Sequence, residues 1–567
     1  MPVAERVAAR LLGALAPRLP AGALAAVTSG TDWAGPVALP LPDERSVQAA
    51  CGIMQVHGRA HGGPRPLAVD YAATVAGVLA AQGVCAALLA RRRGLRIDRV
   101  ATSVAEGALL SLTQYLAAAT APEEPALEPA TGAAGLATLV SAEGVPVEIE
   151  TLDPVAWREF WRRLDVPPAL AGRGWAPFQQ RFATAVCPLP AALRDAARRR
   201  PLAALTGAAD ATGVSLAALA AEPRPGDPPA PLRITPAPVP SVPAPFPPAA
   251  GPAPLAGLRV VEATRRVQGP LAGHVLRLLG ADVIRVEPPG GDPMRGLPPL
   301  VGDCSARFLA LNDGKSVAEA DLGTEAGRRA VRERVADADV FLHNWAPGRA
   351  ERLGLAAADL WAVAPHLVHA GASGFGDAFG AGPPPIGTDY LAQVHSGLAA
   401  ALRPAPETPA PSLMTLTDVL GGLLCAYGVL AALLGRADTG RGARVESSLH
   451  SAAWLVERPP TRARWTPLDL PLRTADGLLC LTAADARRSA ELARVTAATG
   501  SSPESIAARF RARATKEWQD RLAEAGVPAT PVSTDLASLP HDPAFRAALA
   551  PAPPDGHARP RTPWTFS

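Results

Sequence analysis

The sequence predicts an α/β protein with an open, parallel, Rossmann-like sheet, a smaller α+β domain, and a partial duplicate of the same fold ahead of them. Three observations lead to this prediction. A proline-rich segment at 223–254 divides the 567-residue chain. Runs of β-branched residues alternate with helical patterns after that segment. The parts before and after it share an internal repeat.

The composition is that of a globular chain, and it excludes one class of partner. Hydrophobic residues make up 48% and charged residues 19%, which supplies apolar side chains for more than one core. The formal net charge is +3, and because the arginines are scattered, we expect no nucleic-acid partner. Adjacent arginines such as Arg265 and Arg266 can still bind a small phosphorylated ligand.

The cysteines and the apolar stretches indicate a cytoplasmic protein. The six cysteines lie far apart without a C-x-x-C pair, which favours reduced, buried thiols over disulfides or a metal site. The stretches 69–90 and 419–435 are interrupted or too short for a bilayer, so we expect buried helices and no membrane contact. The amino terminus contains Glu5 and Arg6 and predicts an amphipathic helix rather than a signal peptide.

The proline-rich segment sets the predicted domain boundaries. Its prolines remove backbone donors and fix φ, so we expect an extended linker through which neither helix nor sheet continues. Residues 1–222 then form the partial duplicate, which we call the first copy. Residues 255–567 form the second copy, with a large α/β domain at 255–455, a small domain at about 470–545 and a carboxy-terminal segment that returns to the large domain.

The internal repeat keeps one offset without a gap. The matched pairs are Gln48 with Gln393, Gly52 with Gly397, Pro64 with Pro409, and Gly77 with Gly422. The match continues through a helical stretch, where Gly83–Arg91 matches Gly428–Arg436. Because the matched positions include glycines, prolines and glutamines, duplication explains the repeat better than chance alignment of alanine-rich helices.

A strand–helix–strand unit opens the second copy. Its runs are LAGLRVVEA, QGPLAGHVLRLLG and ADVIRVE. Further strands at 340–343 and 367–371, with a helix at 325–336, extend this unit into a parallel sheet. The first strand-to-helix turn lacks the G-x-G-x-x-G pattern that brings the backbone close to a dinucleotide, so no nicotinamide cofactor is expected.

Nine segments in a fixed order connect the second copy to a known family. They are PLAGLRVVE, GADVIRVEPPGGDPMR, FLALNDGKS, HNWAPGRAERLGL, SGFG, GTDYLAQVHSG, RADTGRGARVESSL, TADGLLCL and EWQDRLAEAGVPATPV. This series resembles the class III CoA-transferase family, which includes formyl-CoA and carnitine-CoA transferases and the α-methylacyl-CoA racemases. Residues 1–222 resemble the later portion of the pattern, from Gln48–Gly52 through SAEGVPVEI and FWRRL, without the opening βαβ unit.

The resemblance implies an enzyme that moves CoA between an acyl-CoA donor and a carboxylic acid, with no metal or nicotinamide cofactor. The family's nucleophile is a carboxylate, which suits double displacement because it is both nucleophile and leaving group. The family's aspartate falls at Pro406 here, and Glu407 beside it is the candidate nucleophile, with an exposed loop carboxylate as the alternative. His61 and Gly62 occupy the equivalent positions of the first copy.

The racemase branch of the family implies a second catalytic candidate. Asp418, at the start of an apolar helix, matches the aspartate of that branch, whereas Thr388 stands where the branch has its histidine. Since threonine cannot act as a general base near neutral pH, racemisation is disfavoured. The alternative role of Asp418 is to complement the helix macrodipole.

The resemblance also implies where CoA binds. The residues it points to are Arg266, Val267, Gln268, Asn344, Trp345 and Arg352. Arg352 can clamp a phosphate through two N–H groups, and the Trp345 ring can pack on the cofactor. The alternatives are a surface arginine and a core tryptophan.

Two departures from the family pattern leave three functions open. The family's aspartate is absent at Pro406, and the segment between Leu455 and Leu472 is shorter than the glycine-rich loop that protects the intermediate from water. The functions are a CoA-transferase, another acyl-CoA enzyme of the racemase branch, and an inactive member that binds CoA esters or a partner. Because chains of the family interlock as dimers, we expect an intramolecular pseudo-dimer or a homodimer.

Overall fold

The first copy is built from helices around two small groups of strands. The computed structural model describes residues 2–122, 134–223, 226–238, 246–380, 382–554 and 556–567. The helices of the first copy are α1 Pro2–Leu15, α2 Glu44–Ala50, α3 Ile53–Gly58, α4 Tyr71–Arg92, α5 Val104–Ser111, α6 Thr113–Ala119, α7 Pro154–Arg163, α8 Pro168–Thr184, α9 Ala191–Arg198 and α10 Leu202–Asp210. Its strands are β1 Thr28–Asp32, β2 Arg99–Ser103, β3 Leu139–Val140, β4 Pro146–Glu150 and β5 Ser215–Ala218. Strands β1 and β2 are parallel, while β3, β4 and β5 form an antiparallel sheet.

The large domain of the second copy alternates strands with helices. One strand, β6 Leu232–Pro236, precedes it. Its own strands are β7 Arg259–Ala263, β8 Asp282–Glu287, β9 Leu300–Val301, β10 Cys304–Ser305, β11 Ser316–Glu319, β12 Val340–His343, β13 Val368–Ser373 and β14 Ala443–Ser448. Its helices are α11 Gln268–Leu278, α12 Ala306–Asn312, α13 Glu325–Ala336, α14 Arg349–Arg352, α15 Ala357–Trp361, α16 Asp389–His395, α17 Leu398–Ala401, α18 Leu416–Thr439 and α19 Leu449–Ala453.

The main sheet has the order β11-β8-β7-β12-β13-β14-β6. Its strands are parallel except β6, which runs antiparallel to β14. The prediction of an open, parallel-rich α/β sheet is therefore confirmed. The chain order reverses between β7 and β12, and in open α/β sheets ligands bind at such a switch point, beyond the carboxyl ends of the strands.

Two expectations about the sheet edges are wrong. The proline-rich segment was expected to carry no sheet, yet β6 lies within it and pairs with β14. This is possible because β6 is an edge strand, where proline costs least. The carboxy-terminal segment was expected to return to the large domain of the second copy, but its last strand, Thr565–Phe566, pairs with β2 of the first copy. Because β6 already occupies the edge beside β14, the last strand cannot pair with β14 and adds to β2 of the first copy.

A small antiparallel sheet with helices follows the large domain. Its strands are β15 Leu472–Arg473, β16 Leu478–Leu481 and β17 Ala529–Pro531, and its helices are α20 Ser489–Thr496, α21 Pro503–Arg509 and α22 Thr515–Glu524. Phe510 and Trp518 are buried in its core. The strands β18 Leu549–Ala550, β19 Arg559–Pro560 and β20 Thr565–Phe566 end the chain.

The two copies pack through their long apolar helices, α4 and α18. The Tyr71 hydroxyl donates to the carbonyl of Leu416, and the Gln82 side chain donates to the carbonyl of Leu423. By length and composition both helices are apolar enough to cross a membrane, and the most apolar windows of α4 and α18 are 100% and 89% buried. Their apolar surface is therefore covered by the protein itself.

Helix α1 takes the place in the first copy that α11 takes in the second. A Cβ atom added to Gly77 of α4 would lie 2.6 Å from the carbonyl oxygen of Ala4, and one added to Gly422 of α18 would lie 2.6 Å from that of Gln268. Each glycine thus permits the same close helix–helix approach. The expectation that the first copy lacks the whole opening unit is corrected: its helix is present as α1.

Equivalent buried carboxylates accept hydrogen bonds from the first turns of the two long helices, α4 and α18. Glu44 accepts hydrogen bonds from the backbone N–H groups of Ala72 and Ala73, and Asp389 accepts them from Thr417 and Asp418. Each carboxylate therefore satisfies backbone donors that a helix leaves unpaired in its first turn. The repeat seen in the sequence extends to individual hydrogen bonds.

Candidate active site at the sheet switch point

The turn between β7 and α11 lies at the switch point. Arg266 adopts φ of +65°, a conformation that non-glycine residues seldom hold. The Asn344 side chain accepts from the N–H of Arg265 and donates to its carbonyl, at 2.9 and 2.8 Å. Gln268 donates to the carbonyl of Ser373. Asn344 and Gln268 thus fix the turn through polar contacts of their own.

Arginines without carboxylate partners surround this turn. No carboxylate of the described residues forms an ion pair with Arg265, Arg349 or Arg352. Burial, followed by the charges of Arg265 and Arg352, lowers the pKa of Arg349. Trp345 is buried and stacks on His343 with ring centroids 4.8 Å apart. The positive charge of this group is available to an anionic ligand.

A groove of about 660 Å³ extends from Trp345 along the carboxyl ends of β12, β13 and β14. Its walls include His369, Phe375, Arg444 and His450. Burial lowers the pKa of His369 to about 4 and that of His450 to about 4, so both imidazoles are neutral near pH 7. The groove therefore presents neutral imidazoles and an aromatic ring, together with charged side chains, next to the arginine group.

Residues of both copies enclose a smaller pocket of about 60 Å³ beside the turn. The second copy contributes Arg266 and Val267 together with Thr388, Asp389, Tyr390 and Asp418. The first copy contributes Glu150 from the end of β4 and Arg181 from α8. These two form a buried ion pair at 2.8 Å. The pocket exists only because the two copies pack together.

Asp389 is a structural carboxylate. It accepts from the backbone N–H groups of Thr417 and Asp418, from the Thr417 hydroxyl and from the Gln393 amide, at 2.5 to 2.9 Å. Burial raises its pKa to about 6. Its oxygens are occupied by these donors.

Asp418 lies in the first turn of α18, and its carboxyl makes no hydrogen bond or ion pair to any described side chain. Burial, and then the nearby charge of Asp389, raises its pKa well above the usual range, while Arg266 opposes the shift. Two carboxyl groups that lie close together and are largely removed from water cannot both ionise readily. Asp418 is thus a carboxyl group that lines the pocket, has no side-chain partner among the described residues and is shifted towards its neutral form.

Glu407 occupies a different environment. Its carboxylate is ion-paired with Arg65 of the first copy, and Arg403 Nη1 lies 3.7 Å from its second oxygen. Arg462 donates to the backbone carbonyl of the same residue at 2.5 Å. Glu407 does not line the pocket that contains Val267 and Asp418. Sequence position placed it next to the family's nucleophile, whereas its side chain is held by arginines elsewhere.

Sequence reasoning missed several residues of this pocket, among them Glu150, Arg181 and Tyr390. Glu150 and Arg181 belong to the first copy, and no local pattern indicates that they reach a site in the second copy. Tyr390 lies inside the GTDY segment, so the motif could have pointed to it. The sequence did identify Asp418 and the Arg266–Val267 turn, and the structure brings them together around one cavity.

The fold and site define an α/β protein with a small-molecule site at a sheet switch point, completed by a second, partial copy of the fold. The sequence pattern described as CoA-transferase family III matches residues 32–221 and 255–468, well over half of the chain. The chain belongs to the CoA-transferase family III. Both copies are covered by the match.

Characterised relatives are named as CoA-transferases. The chain is 35% identical over 202 residues to a mouse succinyl-CoA:glutarate CoA-transferase, covering 35% of this chain and 46% of that one. It is 36% identical over 196 residues to an acetyl-CoA:oxalate CoA-transferase of Acetobacter aceti, covering 34% and 50%. The chain spans about half the length of these curated relatives. A crystal structure of a CAIB/BAIF family protein from Brucella suis has 29% identity and a TM-score of 0.49, covering 56% of this chain and 93% of that one.

Proposed function

We propose that this protein transfers CoA between an acyl-CoA donor and a carboxylic acid acceptor. The observation that supports this most is the unpartnered Asp418 carboxyl in a pocket beside the Val267 turn of a family III chain. The relatives named as CoA-transferases favour the same activity. Incubating the purified protein with an acyl-CoA that is mass-labelled in its CoA part and with unlabelled carboxylic acids tests it: the label must pass to the new CoA ester.

In this proposal CoA lies across the switch point. Its phosphates meet Arg265, Arg349 and Arg352, the groove beside Trp345 receives uncharged parts of the molecule, and the thioester reaches Asp418. Guanidinium groups bind phosphate through charge-assisted hydrogen bonds. This arrangement gives unpaired arginines a partner and leaves the carboxyl at the reacting end.

The double variant Arg349→Gln/Arg352→Gln is expected to weaken CoA-ester binding by about tenfold or more at low salt, because each lost charge-assisted bond contributes to affinity. Calorimetric titration with a CoA ester measures the change. Arg329→Gln on the exposed face of α13 is the matched control, since its guanidinium lies 3.7 Å from Glu333 on the same helix. Equal affinity in the double variant and the control would contradict the assignment.

For the chemical step, we assign the nucleophile to Asp418 rather than Glu407. The ionised carboxylate attacks the thioester carbonyl, the C–S bond breaks, and CoA leaves as its thiolate, giving a mixed anhydride. The thiolate then attacks the Asp418 carbonyl of this anhydride and releases the donor acid, leaving CoA on Asp418. The acceptor acid repeats the sequence in reverse. Glu407 is less suited because Arg65 and Arg403 already neutralise it.

The transfer rate is expected to rise with pH through a value well above the ordinary range of an aspartate. The pKa of Asp418 is raised by burial and by Asp389, so at acid pH the carboxyl is protonated and cannot attack. Arg266→Gln removes an opposing cation and is expected to shift the rising limb to higher pH. Rates measured from pH 5 to 9, corrected for thioester hydrolysis, test this; a flat profile would count against Asp418.

A second function has one observation in its favour. Both candidate carboxylates are restrained, Glu407 by arginines and Asp418 by its raised pKa, which suits a member of the family that binds CoA esters without transferring CoA. The labelling experiment separates the two: binding without label exchange at any pH supports this alternative.

In either case we propose that the first copy acts as the partner subunit of an intramolecular pseudo-dimer in the cytoplasm.

A further inference from the structure

Three residues that line the pocket beside Asp418 have buried polar atoms without partners. These atoms are Arg181 Nε, Tyr390 Oη and Thr388 Oγ1, and none has a hydrogen-bond partner among the residues that the structure describes. Arg181 and Tyr390 are only 2% and 4% exposed. All three residues line the same cavity. Since buried polar groups are nearly always paired, three unpaired groups around one cavity point to a ligand that satisfies them.

The donors are held in fixed positions. Arg181 pairs with Glu150 at 2.8 Å, donates to the carbonyl of Phe178, and lies over the rings of Phe178 and Tyr390 at 3.7 and 4.4 Å. These contacts leave the Nε hydrogen unpaired. Burial raises the pKa of Tyr390 well above its usual range, so its hydroxyl keeps its proton and can donate. A guanidinium and two hydroxyl groups form a donor set for an oxyanion.

The charges around the cavity admit an anion. Glu150 is neutralised by Arg181, and the oxygens of Asp389 are occupied by four donors. Burial favours the neutral form of Asp418, while Arg266 adds a cation that has no carboxylate partner among the described residues. The volume of about 60 Å³ is room for about two water molecules, which a terminal carboxylate also fits and a long acyl chain does not.

We propose that this cavity, the distal subsite, binds the second carboxylate of a short dicarboxylic acid or of its CoA ester. Arg181, Tyr390 and Thr388 donate to that carboxylate, while the first carboxyl or thioester lies towards Asp418. The inference rests on the proposed CoA transfer for its biological meaning, but its binding test does not. Arg181 then makes the first copy a determinant of substrate specificity.

The subsite discriminates by the cost of leaving donors unpaired. A monocarboxylic acid of the same length places a methyl group against Arg181 and Tyr390, and the buried donors then remain without partners. Sites built to pair a polar group reject analogues that lack it far more strongly than apolar pockets reject an extra methylene. We therefore expect this pocket to bind a dicarboxylate more tightly than the monocarboxylate of the same chain length.

Calorimetric titration of the full chain with glutarate and with valerate, which share a five-carbon chain, tests the subsite. Wild-type protein is expected to bind glutarate at least about tenfold more tightly than valerate. Tyr390→Phe removes one donor without changing the ring, and is expected to lose most of that preference. Tyr427→Phe is the matched control: its hydroxyl donates to the carbonyl of Leu11 between helices, and the preference must survive.

A second variant, Glu150→Gln/Arg181→Met, removes both partners of the ion pair together. It is expected to bind both acids equally. The same comparisons with glutaryl-CoA and valeryl-CoA distinguish a subsite that receives the donor's acyl group from one that receives the free acid. A preference for the dicarboxylate, measured with the free acids or with the CoA esters, supports the subsite if it disappears in Tyr390→Phe.

The outcomes separate this inference from the proposed activity. A Tyr390-dependent preference for the dicarboxylate, with no CoA transfer to any acid, supports the subsite and rejects the transferase proposal. CoA transfer to glutarate and valerate at equal rates, unchanged by Tyr390→Phe, supports the transferase proposal and overturns the subsite. Equal binding of both acids to wild type means that the pocket holds water only, and also overturns it.

Discussion

Asp418→Asn is expected to reduce CoA transfer by at least about a thousandfold, because the amide cannot attack a thioester or carry CoA. Affinity for the CoA ester should change little, since the arginine group lies at the other end of the proposed ligand. Asparagine has nearly the same shape, and it removes a carboxyl that repels Asp389, so the fold should be retained. Parallel assays of labelled CoA exchange and of CoA-ester binding measure both effects.

Glu407→Gln provides the comparison. This variant loses the ion pair with Arg65, which is part-exposed, and partly exposed pairs contribute little to stability. Transfer should persist within about tenfold of wild type if the reaction runs at Asp418. Loss of transfer in Glu407→Gln with full activity in Asp418→Asn would reverse the assignment and show that the loop moves its carboxylate into the pocket. If each single variant lost CoA transfer while the wild type was active, both carboxylates would be needed for the reaction.

Most of the main sheet could be predicted because its signals are local. The strand at Val340–His343 and the helix at Glu325–Ala336 are found with the predicted bounds. Their apolar spacing alone specifies them. The repeat offset also identified α18 as the counterpart of α4, and Tyr71 bonds to the carbonyl of its match, Leu416, across the interface between the two helices.

The strands at the sheet edges could not be predicted, because their pairing depends on which edges the assembled core leaves open. The sequences of Thr565–Phe566 and Leu232–Pro236 contain no pattern that indicates a partner strand. Each of these strands could have been added to the sheet of the first copy or to the main sheet. Helix α1 was recognised as amphipathic, but its equivalence to α11 becomes visible only when both are packed against Gly77 and Gly422. Partner choice of this kind is a property of the assembled core.

The candidate site was predictable where a motif spans it and unpredictable where two copies meet. Asp418 and the Arg266–Val267 turn were found because family segments surround them. Asn344 was expected near the nucleotide, which stays a prediction; the structure shows that its side chain holds the backbone of Arg265. Arg181 reaches Tyr390 only through packing of α8 against the second copy, which no spacing within either segment encodes.

Separating the two copies is expected to remove the folded state of the second copy. Residues 246–567 expressed alone would expose the face of α18 that packs on α4, and would lose β6 from the edge of the main sheet. A 24-residue helix as apolar as α18 cannot remain exposed in water without association. We expect insoluble or aggregated protein, measured by size-exclusion chromatography and by the absence of cooperative thermal unfolding.

Co-expression of residues 1–238 with residues 246–567 is expected to restore a soluble one-to-one complex, because both partners of the α4–α18 contact and of the β2–β20 and β6–β14 pairs are then present. The matched control is the full chain carrying a protease site within 239–245, a segment outside the described residues. After cleavage its two pieces should still elute together and still bind the CoA ester, since the pocket takes Arg181 from one piece and Asp418 from the other. A monomeric 246–567 fragment that unfolds cooperatively and binds the CoA ester as tightly as the full chain would show that the first copy is dispensable for both the fold and the site.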